Sequence, residues 1–385
     1  MMSWETGTAA SHSDLLDKLN MFLLKGHALP PVYTGTGNGT ITGIIGSATS
    51  SQETITATFT SPTAFGVVGS VTGSMGSGSV GAIFTHAKAS FTVLAGGTAW
   101  AAGDTISFVM TPPYIAKRTS AGSEYIWQAP GNSNQDQIII GAKTFSDVGA
   151  GYYNWRLLGA TGFDPGLAFT AQPGSCTRPV LPLWGGSIPY WFFADGRRVI
   201  IVAKITTVYE HAYLGFLDAY ATPGEWAYPL VVGGSMSWMA EPGATSANWK
   251  YSYVGNEHHA YWSPTPSSWY INYNDYNLCQ IRLRKPDGSW VGFTTSAGYA
   301  TEPLVVPFGD GFTNLKPCLD DTVVTFPVFM CDAVPNCYGE FAGLRAVSGV
   351  GRGSEDTVTL GRDTYLLLQD TSYTTTKSYA AILMA

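Results

Sequence analysis

The stretch that decides the fold is Tyr190-Trp191-Phe192-Phe193-Ala194-Asp195-Gly196-Arg197-Arg198-Val199-Ile200-Ile201-Val202. Two runs of aromatic and β-branched residues flank Asp-Gly, the dipeptide that supplies the positive φ of a tight hairpin. Gln280 to Arg284, followed by Pro286-Asp287-Gly288 and a return through Trp290 and Val291, repeats the pattern. Further strands are predicted at 138–140, 323–330, 357–360, 365–368 and 379–383. Nothing from Tyr114 to Ala385 keeps a helical period, so 114–385 reads as one large aromatic-rich antiparallel β domain, a sandwich or barrel-like form.

Upstream, 30–113 is a second β unit of different chemistry. Between Gly26 and Ala116 the charged residues are Glu53, Lys88 and Asp104 alone. Ile55, Ala57 and Phe59 alternate with threonines, as do Phe91 and Val93 around Thr92. Phe65, Val67 and Val71, then Val80, Ala82 and Phe84, then Ile106 and Phe108 continue the series. Short strands separated by glycine predict a small Gly/Thr-rich β-sandwich. Within the Gly-Ser run at 73–79, the stretch Gly76 to Gly81 reads as a flexible turn. Residues 1–29 read as an N-terminal arm with one amphipathic helix, capped by Ser11 or Ser13 and ended by Gly26. Leu15, Leu16, Leu19, Phe22 and Leu23 share its apolar face. A helix of about 12 residues is marginal alone, so it packs on its own body or serves as a docking helix for a neighbour.

The 385 residues carry 12% charged and 45% hydrophobic residues, against about 25% charged in an average soluble domain. Such a deficit fits a surface covered by partners. The net charge of −7 argues against nucleic-acid binding by phosphate neutralisation, and no apolar run reaches the ~18–20 residues of a membrane helix. No secretory signal is visible at the start. The cysteines Cys176, Cys279, Cys318, Cys331 and Cys337 are sparse and odd in number, which predicts buried free thiols in a reducing cytosol.

Motifs for chemistry are weak. Gly76-Ser77-Gly78-Ser79-Val80-Gly81 matches a dinucleotide fingerprint in letters, but no helix follows it to aim amides at a pyrophosphate. No phosphate loop, zincin motif or nucleophile elbow is present. Glu257-His258-His259 offers metal ligands, yet adjacent strand residues point to opposite faces. No catalytic residue, metal or cofactor is therefore assigned. Glycosidase chemistry would need two carboxylates across a cleft, for which Glu225, Glu241, Glu257 and Asp275 are available but unpaired. The richest constellation is aromatic: Trp249, Tyr251, Tyr253, Tyr261, Trp262, Trp269, Tyr270, Tyr273 and Tyr276 with interleaved Asn and Asp. Trp249, Tyr261, Trp262, Trp269, Tyr270 and Tyr273 are candidates for glycan stacking or a subunit contact, and a plain core stays open beside both.

Several blocks carry a resemblance. They are Met2-Ser-Trp-Glu-Thr-Gly-Thr-Ala9 with the Leu15–Leu24 helix, Thr34-Gly-Thr-Gly-Asn-Gly-Thr-Ile-Thr-Gly43, and Phe91-Thr-Val-Leu-Ala-Gly-Gly-Thr-Ala-Trp-Ala-Ala-Gly-Asp-Thr105. Leu181-Pro-Leu-Trp-Gly-Gly-Ser-Ile-Pro-Tyr190, Tyr213-Leu-Gly-Phe216 and Tyr228-Pro-Leu-Val-Val-Gly-Gly-Ser235 complete the set. In style the chain resembles virion structural proteins of tailed bacteriophages, of the tail or baseplate region. The resemblance is compositional and transfers no active-site residue. It implies a non-enzymatic component held in a homo-oligomer, contacts with other virion proteins, and assembly in the host cytoplasm. A host-recognition tail protein binding surface glycan, and a capsid decoration protein, are the alternatives.

Overall fold

The computed structural model describes residues 2–131, 138–149, 152–177, 179–222, 224–237, 260–262, 281–292, 304–306, 323–331, 337–371 and 379–384. It is mostly β, with one α-helix among the described residues. Among the described residues the large domain is built from three antiparallel sheets in layers, none of them closed into a barrel. The central sheet has seven strands in the order Ser3–Ala9, Ile188–Ala194, Arg198–Ile205, Val208–Phe216, Leu230–Gly233, Ile281–Arg284 and Trp290–Gly292. One flanking sheet runs from Ile115–Ser120 through Glu124–Ala129, Ile138–Asp147 and Tyr152–Ala160 to two short strands. The other contains Thr325–Cys331, Cys337–Val347, Tyr379–Leu383, Asp363–Gln369 and Thr357–Leu360.

Strand alternation sends the central sheet's side chains into two cores. Phe192, Val199, Ile201, Leu214 and Val232 pack with Trp127, Ile140, Trp155 and Leu157 on one side. Phe193, Ile200, Val202, Tyr213 and Val231 pack with Met330, Phe341, Leu344, Leu366 and Ile382 on the other. This double coverage explains why Val199–Val202 is apolar at both parities, a pattern usual for sheets covered on both faces. A doubly covered sheet also needs few polar positions, so it accounts for part of the charge deficit without any partner.

The 190–202 hairpin forms in the register of its sequence, but its turn works differently from expectation. Gly196 does not take a positive φ. The Asp195 carboxylate instead accepts the N–H groups of Arg197 and Arg198 at 2.7 and 3.0 Å. Glycine is required there for room, since a Cβ would stand 2.9 Å from Thr111 Cγ2. In the second hairpin Gly288 does take φ +85°.

The N-terminal segment is no arm. Ser3–Ala9 pairs along its whole length with Ile188–Ala194. The helix His12–Leu23 is capped by Ser11, whose hydroxyl accepts from Asp14 N–H. Leu15, Leu16, Leu19, Phe22 and Leu23 are all fully buried in the chain's own core. Trp127 Nε1 donates to Asn20 and Trp155 Nε1 donates to the His12 carbonyl, both at 2.9 Å. The docking-helix reading is thereby corrected: no apolar side chain of that face is left for a neighbour, because the preceding strand fixes the helix over the body.

The small unit is opened by His27–Ala28 and closed by Thr105–Thr111, which pair with each other. Its six-stranded sheet joins these to Val32–Thr34, Glu53–Ser61, Ala64–Gly69 and Gly73–Ser79. A three-stranded sheet of Thr40–Gly46, Ala89–Leu94 and Ile83–Thr85 packs on it. The shared core holds Ile55, Phe59, Phe65, Val67, Phe91, Trp100, Ile106 and Phe108, and the Phe59 and Trp100 rings stack at 4.3 Å. The Gly-Ser run is a strand at the sheet edge, contrary to the reading of 76–79 as part of a turn. Packing selects glycine there: a Cβ on Gly78 would lie 2.5 Å from the Phe65 ring. A second correction concerns Cys331 and Cys337, cross-strand partners that form a disulfide where free thiols were expected. Cys176 is buried.

Candidate functional site

The aromatic constellation divides. Tyr261 and Trp262 are fully buried, Tyr261 against Tyr213 and Phe341, and Trp262 edge-on to His211 at 4.1 Å. Neither face is open to a sugar ring, so the glycan-contact reading is corrected for this pair: they fill the core between the central sheet and the 325–383 sheet. Trp249, Trp269, Tyr270 and Tyr273, with Tyr251, Tyr253 and Tyr276, lie outside the described residues, as do Glu257, His258 and His259.

The buried ionisable groups serve the scaffold. Arg198, fully buried, lies 3.4 Å from Asp195 and bonds Asp218. Burial opposes the charge on Arg198, but the carboxylates of Asp195 and Asp218 outweigh it and hold the guanidinium protonated. Tyr114 Oη donates to the Asp195 carbonyl at 2.7 Å and Tyr213 Oη to the Phe216 carbonyl at 2.6 Å. Burial pushes the His211 imidazole down to about 3. It does the same to His27, aided by the charge of Lys25. A cleft of about 660 Å³ between the two units is lined by Leu24, Pro112, Pro113, Ile115, Gln128 and Pro130 among others. The ionisable side chain on its wall is Tyr114, whose hydroxyl is already committed. Among the described residues no group of three His, Cys, Asp or Glu is placed to hold a metal.

The small unit presents a different kind of surface. Two of its three charged side chains point inward. Glu53 is 3% exposed; burial raises its pKa, but hydrogen bonds from the Thr72 N–H and hydroxyl, Val71 N–H and Ser51 hydroxyl outweigh this and hold it below the usual range. Asp104 is 4% exposed and accepts the N–H groups of Ala101, Gly37 and Thr36, which lower its pKa. Lys88 Nζ is turned onto the Thr49 carbonyl. The outer face of the six-stranded sheet therefore carries no charge.

Its side chains form rows across the strands. Val32, Ser107, Thr56, Val68 and Ser74 make one row, and Thr34, Thr105, Thr58, Gly66 and Ser77 the next. Thr54, Thr58, Thr60 and Val68 are exposed. Five strands about 4.8 Å apart and a strand rise of about 3.4 Å give a patch of roughly 19 by 20 Å. Two of the contacts among the described residues that orient the patch on the body have side-chain partners far apart in sequence. One is the double chain crossing, where Ser3 Oγ accepts from Ala28 N–H. The other is Arg362, at the 357–369 hairpin tip, which lies 4.4 Å over the Tyr33 ring and donates to the Gly37 carbonyl.

Sequence reasoning placed threonine on the outer faces of this unit's strands, and the Glu53–Ser61 strand bears that out. The signal was present in Thr54, Thr56, Thr58 and Thr60, four threonines on one strand parity. The Arg362 contact spans 325 residues and has no local signature. No family model and no curated protein matches the chain.

Proposed function

We propose that this protein is a non-enzymatic structural component of a tailed-phage virion, in the tail or baseplate, that attaches to other particle proteins through its small β unit. The observation that carries the reading is the uncharged outer face of that unit, with Glu53 and Asp104 turned inward. A charged rim keeps freely diffusing proteins apart, whereas a neutral hydroxyl-rich sheet suits permanent contacts within an ordered particle. Arg198 and Tyr114 of the body add support, since their bonds to Asp195 and Asp218 hold strand ends together.

Replacing residues 28–110 by a short Gly-Ser linker tests this. The ends can be joined because Ala28 and Met110 are cross-strand neighbours, and the body's two cores take almost no side chain from the unit. The truncated chain is expected to fold and to be absent from purified particles. Its incorporation at normal copy number would contradict the proposal.

A further inference from the structure

We infer that the outer face of the six-stranded sheet is a contact between two copies of this chain, related by a two-fold axis. The inference rests on the structural reading above and names the partner. In a two-fold contact the same patch lies on both sides. A face of carboxylates would repel itself and offer acceptors only. Threonine and serine hydroxyls each donate and accept, so an array of them is self-complementary. Thr54, Thr56, Thr58, Thr60, Thr105 and Ser107 form such an array, with Val68 at 52% exposure and Val32 at 63% as its apolar points.

Charge points to the same partner. The small unit holds one lysine and two inward carboxylates, leaving nineteen basic and twenty-five acidic residues on the rest of the chain. Two copies approaching through other surfaces meet like net charge; through this face they do not. Its margin is open as well, because the edge strand Gly73–Ser79 has neither the proline nor the charged side chain that commonly guards an edge. Roughly 400 Å² of face is about half the ~800 Å² per partner of a standard stable interface. Free chains therefore pair weakly, and the contact strengthens when neighbours hold copies close together.

Sedimentation velocity of the full chain from about 10 to 500 µM, the range in which a contact this small is populated, reads the prediction. The wild type is expected to dimerise with rising concentration. The doubly substituted Thr54→Lys/Thr58→Lys and Thr54→Asp/Thr58→Asp chains, altered at exposed positions, are each expected to associate at least about tenfold more weakly through like-charge repulsion. An equimolar mixture of the two is expected to recover association, which a merely misfolded variant cannot do. A wild type that stays monomeric throughout, variants that pair as the wild type does, or a mixture no better than its components would each overturn the inference. Failure of the structural reading has a separate mark: the wild type pairs through this face, yet the chain lacking 28–110 still enters particles.

Discussion

Glu53→Gln is the sharpest perturbation of the small unit. The carboxylate is 3% exposed and receives Thr72 N–H at 3.0 Å, Thr72 Oγ1 at 2.8 Å, Val71 N–H at 3.3 Å and Ser51 Oγ at 3.3 Å. These bonds tie the 69–73 turn to the start of the Glu53–Ser61 strand, whose far side carries the threonine face. Glutamine keeps the shape but removes the charge and turns one acceptor into a donor, facing groups that are themselves donors. A hydrogen bond to a charged group is worth about 1.5–3 kcal/mol and an orphaned buried donor costs about 1–3 kcal/mol. A loss of about 2–3 kcal/mol for the unit follows from one charged bond lost and a partly relieved orphan. The pH dependence has a definite sign. Because the folded pKa of Glu53 is depressed, its contribution is fully present above the unfolded value and is lost as pH falls through the folded value. Urea unfolding monitored by hydrogen exchange in residues 53–79, at neutral and acid pH, measures both effects. Wild type should lose stability on acidification while Glu53→Gln starts lower and changes less. Equal stability at neutral pH with an unchanged acid slope would refute the reasoning.

Two further outcomes follow from the packing. Trp262→Ala should destabilise the large domain by about 3–5 kcal/mol, the usual cost of truncating a buried aromatic, read by thermal unfolding; a folded variant of wild-type stability would place Trp262 at a surface. Arg362→Ala removes the ring contact with Tyr33 and the bond to Gly37. Hydrogen exchange of 36–39 should accelerate while exchange in the 188–216 strands stays unchanged; unaltered exchange at 36–39 would mean that Arg362 does not hold the unit.

The strands most legible in the sequence were those specified by their own residues. The 190–202 hairpin and Tyr379–Leu383 follow from runs of apolar residues and Thr357–Leu360 from local alternation, and the first closes its turn on Asp195 with Gly196 leaving room for Thr111. Gly73–Ser79 was not legible, because glycine is depleted in strands and this strand is defined by its pairing with Ala64–Gly69, where the Phe65 ring leaves no room for a Cβ on Gly78. The place of Tyr261 and Trp262 was equally hidden. An aromatic cluster reads alike as core or as binding surface until a distant strand, here that of Phe341, covers it. Even Val199–Val202 carried its message ambiguously: unbroken hydrophobicity marks coverage on both faces, but the sequence alone does not say whether the second layer belongs to the same chain.

Hydrogen exchange compared between the free chain and the chain within purified particles tests the central claim most directly. The account predicts new protection concentrated in 53–61, 64–69 and 73–79 of the small unit, with the large domain's central strands unchanged. Protection gained only on the large domain, with the small unit exchanging as it does in solution, would contradict it.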